Sequence, residues 1–206
     1  MKKFSEFLLE RQLQEMSPYL YDKRKELEQL SYIFVDSLKT KGYTKLGKIE
    51  LLNLEIYEVD ETGAILAGAI IEDKFYIMFR INVEERSLFV KSMQLSNERK
   101  HIRMINTSKE FVKQNIATSV YTFIANRFDL ISDRVQYIGA KDLWQSIAKR
   151  NEVNVYVFDE DKKDYIRHSD GTIVKYNGKN IDENEIWGTD QKHHERLLVA
   201  TKKELK

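Results

Sequence analysis

Two short clusters of polar residues have side-chain types that could bind a ligand. The first, His193-His194-Glu195, contains imidazole and carboxylate groups, which are common metal ligands. Adjacent residues of a strand point to opposite faces, so this pattern favours a solvated surface over a metal site, and we expect no metal site. The second cluster, residues 99–103, reads Arg-Lys-His-Ile-Arg and could hold a phosphate group. A solvated loop is the favoured interpretation of this basic segment.

The composition bounds the class of protein to which these clusters belong. The chain has 206 residues, of which 42% are hydrophobic and 33% are charged, and its formal net charge is +1. This balance excludes a disordered chain, and it excludes a nucleic-acid binder that relies on net charge, although a local basic patch remains compatible with it. The absence of cysteine excludes a disulfide scaffold and a thiol nucleophile. No apolar run approaches the roughly 18 residues of a membrane span, so no membrane partner is expected.

The first half of the chain predicts helices followed by strands. Residues 1–15 have an amphipathic pattern, and Ser17-Pro18 is a typical helix start, from which a helix of about 23 residues would run to Gly42. The pattern then changes to strands with short breaks between them, which predicts an antiparallel meander over residues 49–59, 64–71, 75–81 and 87–95.

The second half of the chain predicts an alternation of helices and strands. Apolar residues repeat at helical spacing between 112 and 127, and again between 139 and 150. Strands are expected at residues 130–132, 153–158 and 196–201. A hairpin is expected at residues 165–176, because Gly171 and Asn177-Gly178 are turn signals.

This order of elements, together with several short motifs, resembles the GNAT family of N-acetyltransferases. The motifs are Asn-Ile-Ala-Thr-Ser-Val-Tyr at 115–121, Leu-Ile-Ser-Asp at 130–133, Gly-Ala-Lys-Asp-Leu-Trp at 139–144 and the strand at 153–158. The closing segments at 186–188 and 196–200 resemble the end of phage-encoded members. The resemblance implies an α+β fold with an acetyltransferase-like mixed, splayed sheet flanked by helices. The helices before residue 49 depart from the family and would form an N-terminal helical extension.

The resemblance also implies a site for acetyl-coenzyme A. The family binds the cofactor's pyrophosphate with Arg/Gln-x-x-Gly-x-Gly/Ala at the start of its central helix, where backbone N–H groups point at the phosphates. The matching positions here are Val112-Lys113-Gln114-Asn115-Ile116-Ala117. Asparagine replaces the first glycine, and it tolerates left-handed backbone angles better than other residues with a side chain. The implied cofactor-binding residues are Lys113, Gln114, Asn115, Ile116, Ala117 and Thr118.

A helix that begins earlier would remove this cofactor site. Thr107-Ser108-Lys109-Glu110 resembles a capping box, which would start the helix before residue 112. Residues 113–117 would then lie inside the helix, and their N–H groups would bond to helix carbonyls instead of phosphate. Both interpretations stay open at the level of the sequence.

The resemblance further implies two catalytic residues. A tyrosine of the family's next helix protonates the leaving thiolate, but Trp144 stands at that position, and an indole is not an acid. Tyr137 could act as the general acid, and Asp133 could be the base that deprotonates an amine. The structural alternative makes Trp144 a core residue, Tyr137 a wedge and Asp133 a helix cap.

Two functions therefore follow from the resemblance. The first is an acyl-coenzyme A-dependent N-acyltransferase that acts on an amine-bearing acceptor. The alternative is a catalytically inactive protein that keeps the fold and binds a macromolecular partner, such as a host protein. Nucleic acid is the less expected partner.

The first ten residues carry a separate resemblance. Met1, Lys2, Glu6, Phe7 and Glu10 resemble the capsid-targeting peptide of internal head proteins in T-even-like tailed phages, which a head protease cuts after Glu. The implied location is the host cytoplasm, with packaging in the virion head. An amphipathic helix that packs on the domain is the alternative.

The two resemblances together predict the organisation of the chain. We expect a targeting peptide at 1–16 and one domain at 17–206. The domain is divided into a helical lead-in (17–48), antiparallel strands (49–96) and a helix-strand-helix-strand half (107–202) with a hairpin near 164–178.

Overall fold

The computed structural model describes residues 30–40, 42–84, 92–96, 98–107, 115–133, 138–187 and 196–206. The chain is an α+β protein that contains a mixed sheet with few helices, as the general class predicted from the sequence requires. It divides into two compact units. The first comprises Met1–Asn82 with Ile105–Ile116, and the second comprises Val83–Met104 with Ala117–Lys206. Among the described residues, no helix is long and apolar enough to cross a membrane. The expected targeting peptide and the start of the helical extension lie outside the described residues.

The first unit is built on antiparallel strands. In chain order its elements are β1 (Tyr32–Phe34), helix α1 (Val35–Thr40), β2 (Tyr43–Ile49), β3 (Leu54–Val59), β4 (Ile65–Ile71) and β5 (Lys74–Glu84). Strands β2, β3, β4 and β5 pair in that order, and β1 pairs with β5. Leu38 of α1 packs in a buried cluster with Tyr57, Leu66 and Phe75. In its described residues, the unit is therefore a meander with the short helix α1 packed against its apolar side chains.

This first unit departs from the sequence prediction in two places. The helix expected to run to Gly42 covers only Val35–Thr40 in this region, because Tyr32–Phe34 forms a strand that pairs with the start of β5. Only the second part of the strand expected at 49–59 is the strand β3, since a short 3-10 turn over Glu50–Leu52 joins β2 to β3 and Asn53 adopts a left-handed conformation. In the first place, pairing with β5 outweighs the local helical pattern.

The second unit has a mixed sheet. Its elements are β6 (Arg99–Thr107), helix α2 (Ile116–Ala125), β7 (Asp129–Ile131), helix α3 (Ile138–Arg150), β8 (Asn154–Asp159), β9 (Asp164–Tyr165), helix α4 (Glu183–Trp187) and β10 (Arg196–Thr201). Strands β6 and β7 run parallel. The last strand, β10, returns between β7 and β8 and is antiparallel to both.

Side chains from distant parts of the sequence form the core of the second unit. Met93, Ile131, Phe158, Tyr165 and Val199 belong to one buried cluster. The Tyr165 hydroxyl donates a 2.7 Å hydrogen bond to the backbone oxygen of Met93. The turn that contains Met93 therefore packs against strands β7, β8, β9 and β10 in this core.

The strand expected at 87–95 is the main difference in the second unit. Residues 87–91 lie outside the described residues, and Ser92–Gln94 forms a turn. The strand that runs beside β7 is instead β6, which contains the basic segment expected to be a solvated loop. His101 and Ile102 in this segment are buried. The helix expected at 139–150 and the strands expected at 130–132, 153–158 and 196–201 agree with α3, β7, β8 and β10 to within one or two residues.

The expected hairpin is present only in part. Strand β9 has two residues, and isolated bridges join Arg167 to Ile173 and Tyr156 to Lys175. The Arg167 guanidinium donates to the Asp164 carboxylate at 2.9 and 3.0 Å and to the Gly171 oxygen at 2.7 Å. Backbone bonds also join the two arms, since the His168 N–H donates to the Thr172 oxygen and the Val174 N–H donates to the Ile166 oxygen, both at 2.8 Å. This segment is therefore an irregular hairpin whose turn is further held by the Arg167 side chain.

Candidate functional site

The start of helix α2 determines whether phosphate-binding N–H groups are available. Asn115 is exposed and has a φ angle of 59°, which lies in the left-handed region. The α-helix begins at the next residue, Ile116. A helix that began at 107–110 could not run unbroken through Asn115, and Thr107 itself belongs to β6. The backbone N–H groups of Ile116, Ala117 and Thr118 lie in the first turn, where no helix carbonyl is available to them.

Buried side chains fix the direction of this helix. Ile116, Val120, Tyr121 and Ile124 repeat at helical spacing and are each at most 2% exposed. Thr118, in the first turn, is 5% exposed. Because the inner face of α2 is anchored along its length, the N–H groups at its start keep a fixed orientation. Lys113 and Gln114 lie outside the described residues, so four of the six expected cofactor-binding positions can be described.

Asp133 lies just beyond the end of β7. The preceding residue, Ser132, donates its N–H to the Leu198 oxygen at 2.8 Å, and its hydroxyl accepts from the Leu198 N–H at 2.9 Å. These two bonds fasten the end of β7 to β10 and leave Asp133 half-buried where the strand ends. Tyr137, the expected acid, lies outside the described residues.

Trp144 is a core residue, as the structural alternative requires. Its side chain is 2% exposed and packs edge-to-face on Tyr121, with 5.7 Å between ring centroids. This contact joins α3 to α2. Burial raises the pKa of the Tyr121 phenol well above its ordinary value, so this hydroxyl is not an acid near neutral pH. The two aromatic side chains therefore stabilise the helix pair and carry no proton transfer.

One buried and strongly hydrogen-bonded carboxylate of the second unit is a residue that the sequence did not single out. Asp129, 4% exposed at the start of β7, accepts hydrogen bonds from the Ser96 N–H at 2.6 Å, the Ser96 hydroxyl at 2.9 Å and the Thr201 hydroxyl at 2.5 Å. Burial alone would raise the pKa of Asp129, but these bonds and the charge of Lys203 hold the pKa below its ordinary value. With its oxygens occupied, Asp129 is a structural anchor and not a base.

A second polar pair lies at the start of the basic strand. The Nδ1 atom of buried His101 is 2.9 Å from a Glu84 carboxylate oxygen. His101 was expected in a solvated loop, and β6 lacks the regular alternation of polar and apolar residues that would have indicated a strand. The His193-His194-Glu195 cluster lies outside the described residues. The described part of the chain contains no group of three or more residues suited to holding a metal ion.

Comparison with known proteins adds no relative. No protein-family model matches the chain, and no curated protein or solved structure is significantly similar to it. The site must therefore be interpreted from its own geometry. Two features are described, each by itself: the start of α2, which a left-handed asparagine precedes, and a half-buried aspartate beyond the end of β7.

Proposed function

We propose that this protein is an acyl-coenzyme A-dependent N-acyltransferase-like protein of the GNAT type. The observation that carries the proposal is the left-handed Asn115 directly before α2, at the position where the family has a glycine. The chain order of helix α2, strand β7, helix α3, strand β8 and the returning strand β10 supports it, because the resemblance implies the same succession of elements. The proposal concerns the type of ligand and reaction, and the acceptor amine is open.

The start of α2 fits the pyrophosphate of coenzyme A. The N–H groups of Ile116, Ala117 and Thr118 and the positive end of the helix dipole would bind the phosphates. The cofactor would supply an activated thioester carbonyl. Asp133, at the end of β7, would accept the proton that the acceptor amine loses as it forms the new amide. Tyr137 would be the proton donor, as the resemblance implies.

Calorimetric titration with acetyl-coenzyme A tests this proposal. We expect a saturable heat with the unmodified chain, and a similar heat for Asn115→Gly, because glycine adopts left-handed angles freely. Asn115→Val should weaken binding at least tenfold, since a β-branched residue is strained at a φ near 60°. Thermal melts of the three proteins control for folding. The absence of heat at millimolar acetyl-coenzyme A would leave the protein without this cofactor.

The buried Trp144 favours a second candidate function. If no other residue replaces the family's tyrosine acid, the protein would bind coenzyme A or a macromolecular partner without transferring an acyl group. Release of free coenzyme A thiol from acetyl-coenzyme A, measured with a panel of primary amines, separates the two functions. Binding without amine-dependent thiol release supports the inactive alternative, and thiol release that depends on Asp133 supports the enzyme.

We also propose that residues 1–10 are a capsid-targeting peptide, and that the protein is packaged in a phage head and acts in the host cytoplasm. The agreement at Met1, Lys2, Glu6, Phe7 and Glu10 supports this proposal. Cleavage after Leu8-Leu9-Glu10 would give a mature chain that begins at Arg11, and cleavage after the similar Leu13-Gln14-Glu15 would give one that begins at Met16. Mass spectrometry of purified virions should detect one of these chains. Detection only in infected-cell lysate, with Met1 or Lys2 intact, would contradict it.

A further inference from the structure

An aromatic ring of α2 lies in one line with an arginine of the turn that follows the helix and an arginine of α3. Ser119, Phe123 and Arg127 are spaced four residues apart and extend over about 12 Å of the helix and the turn that follows it. The Arg127 guanidinium lies 4.2 Å from the centroid of the Phe123 ring. At the other end of the line, Arg150 of α3 donates a 3.4 Å hydrogen bond to the Ser119 hydroxyl. We call this line, with Arg150 included, the α2 stripe.

The arginines of the α2 stripe keep their charge available to a ligand. Both Arg127 and Arg150 are exposed, and neither forms an ion pair with a carboxylate in the part of the chain that the structure describes. An aromatic ring attracts a cation through its quadrupole but carries no formal charge, so the positive charge of Arg127 is not neutralised. A second cation–π contact involves the residue after Arg127, because Lys100 Nζ lies 5.0 Å from the centroid of the Phe128 ring.

Capping of the helix end does not explain these side chains. The Ile124 oxygen accepts the backbone N–H groups of Arg127 and Phe128, at 2.8 and 2.9 Å. The Thr122 oxygen accepts the backbone N–H of Asn126 at 3.1 Å and its side-chain amide at 2.9 Å. These carbonyls at the end of α2 are already satisfied, and the Arg127 guanidinium is left facing solvent over Phe123.

We propose that the α2 stripe binds single-stranded nucleic acid. Cations that pair with phosphates, interleaved with rings and guanidinium planes on which bases stack, are the features that recognise such a ligand. An acidic polypeptide would use the charges but not the rings. With a net charge of only +1, binding depends on this local surface, and a dissociation constant of about 10–100 μM is expected. The proposal does not rest on the acyltransferase function.

Fluorescence anisotropy with fluorescein-labelled oligo(dT) and oligo(rU) of twelve nucleotides tests the proposal. At 50 mM NaCl the unmodified chain should bind, and Arg127→Gln with Arg150→Gln should weaken binding at least tenfold. The slope of log K against log salt should fall in magnitude by about 1.4, the value for two lost phosphate contacts to a single strand. Phe123→Ala should weaken binding about fivefold or more through lost stacking.

The matched control removes two exposed lysines elsewhere, Lys39→Gln with Lys179→Gln, and should change affinity less than twofold. Circular dichroism melts establish that each variant is folded. The proposal is overturned if the unmodified chain fails to bind, if the control weakens binding as much as the arginine pair does, or if polyglutamate competes as well as unlabelled oligo(dT). Displacement of the oligonucleotide by acetyl-coenzyme A would also overturn it, because the ligand would then occupy the start of α2.

Discussion

Single residues decide the character of the candidate site, and the sequence predicts them unevenly. The left-handed geometry of Asn115 follows from residue type, since asparagine is the residue most suited to replace a glycine there. Asp129 could not be predicted in the same way. Its hydrogen-bond partners Ser96 and Thr201 lie 33 and 72 residues away, and nothing local distinguishes it from an exposed aspartate. A buried carboxylate is specified by the fold that brings its donors together.

Asp129→Asn should lower the free energy of unfolding by about 1–3 kcal/mol at pH 7, because it weakens charge-assisted hydrogen bonds in a buried place. The pKa of Asp129 is lower in the folded protein than its ordinary value of 3.8. Its stabilising contribution is therefore complete above pH 3.8 and is lost as the pH falls through the folded-state pKa. Urea denaturation at pH 7 and pH 3 should give a smaller difference between the two proteins at pH 3.

The exposed Asp36→Asn is the control for the Asp129 variant. Asp36 is on the surface, where its ion pair with Lys39 contributes little, and its substitution should change stability by less than about 0.5 kcal/mol. A difference for Asp129→Asn that was the same at both pH values would mean that its carboxylate charge does not contribute.

The elements were predicted best where the apolar period is long and unbroken. The apolar pattern of α3 spans more than three helical turns. By contrast, β1 has only three residues, and β6 mixes charged residues with apolar ones in a segment whose composition suggests a loop. Whether a short or charged segment forms a strand depends on the strands that pair with it, so its own sequence does not indicate it. The bulge in β5 is a further example, because Ala67 pairs with Phe79 and Gly68 pairs with Ile77, so that Met78 is the extra residue. The register between β4 and β5 shifts at Ala67 and Gly68, where the two backbones come close together.

Gly68→Ala should therefore be strongly destabilising. A Cβ atom at Gly68 would overlap the backbone oxygen of Tyr76 and come within 3.1 Å of the Phe75 ring. Backbone on a paired strand cannot move away cheaply, so we expect a loss of roughly 3 kcal/mol or more. Gly139→Ala in α3 is the matched control, because its Cβ would meet nothing within 4 Å and alanine favours the helix. Chemical denaturation should separate the two, and equal stability of both variants would contradict the assigned bulge.

At the scale of the whole molecule, the sequence predicts the general class but not the connections between distant segments. The α+β class, with a sheet and few helices, follows from the change in apolar period along the chain. A strand was predicted at 87–95 and a solvated loop at 99–103, because the basic composition of 99–103 concealed the strand β6, which pairs with β7. The position of the catalytic candidate Asp133 depends on such a connection. Its neighbour Ser132 is hydrogen-bonded to Leu198 of β10, which is more than 60 residues away in the sequence.

The last four residues, Lys203–Lys206, provide a test of these long-range connections. The Asn154 side chain donates to the Lys203 oxygen at 3.0 Å, the Gln94 side chain donates to the Lys206 oxygen at 2.8 Å, and Leu205 packs on the core cluster of the second unit. Deleting these residues should lower the free energy of unfolding by about 2–4 kcal/mol, from lost hydrogen bonds and apolar burial. Replacing exposed Lys202 and Glu204 by alanine should change it by less than about 0.5 kcal/mol. Urea denaturation gives both values, and faster hydrogen exchange at β8 and β10 in the deletion variant should locate the loss. Unchanged stability would mean that the two amide side chains and Leu205 make no net contribution through this segment.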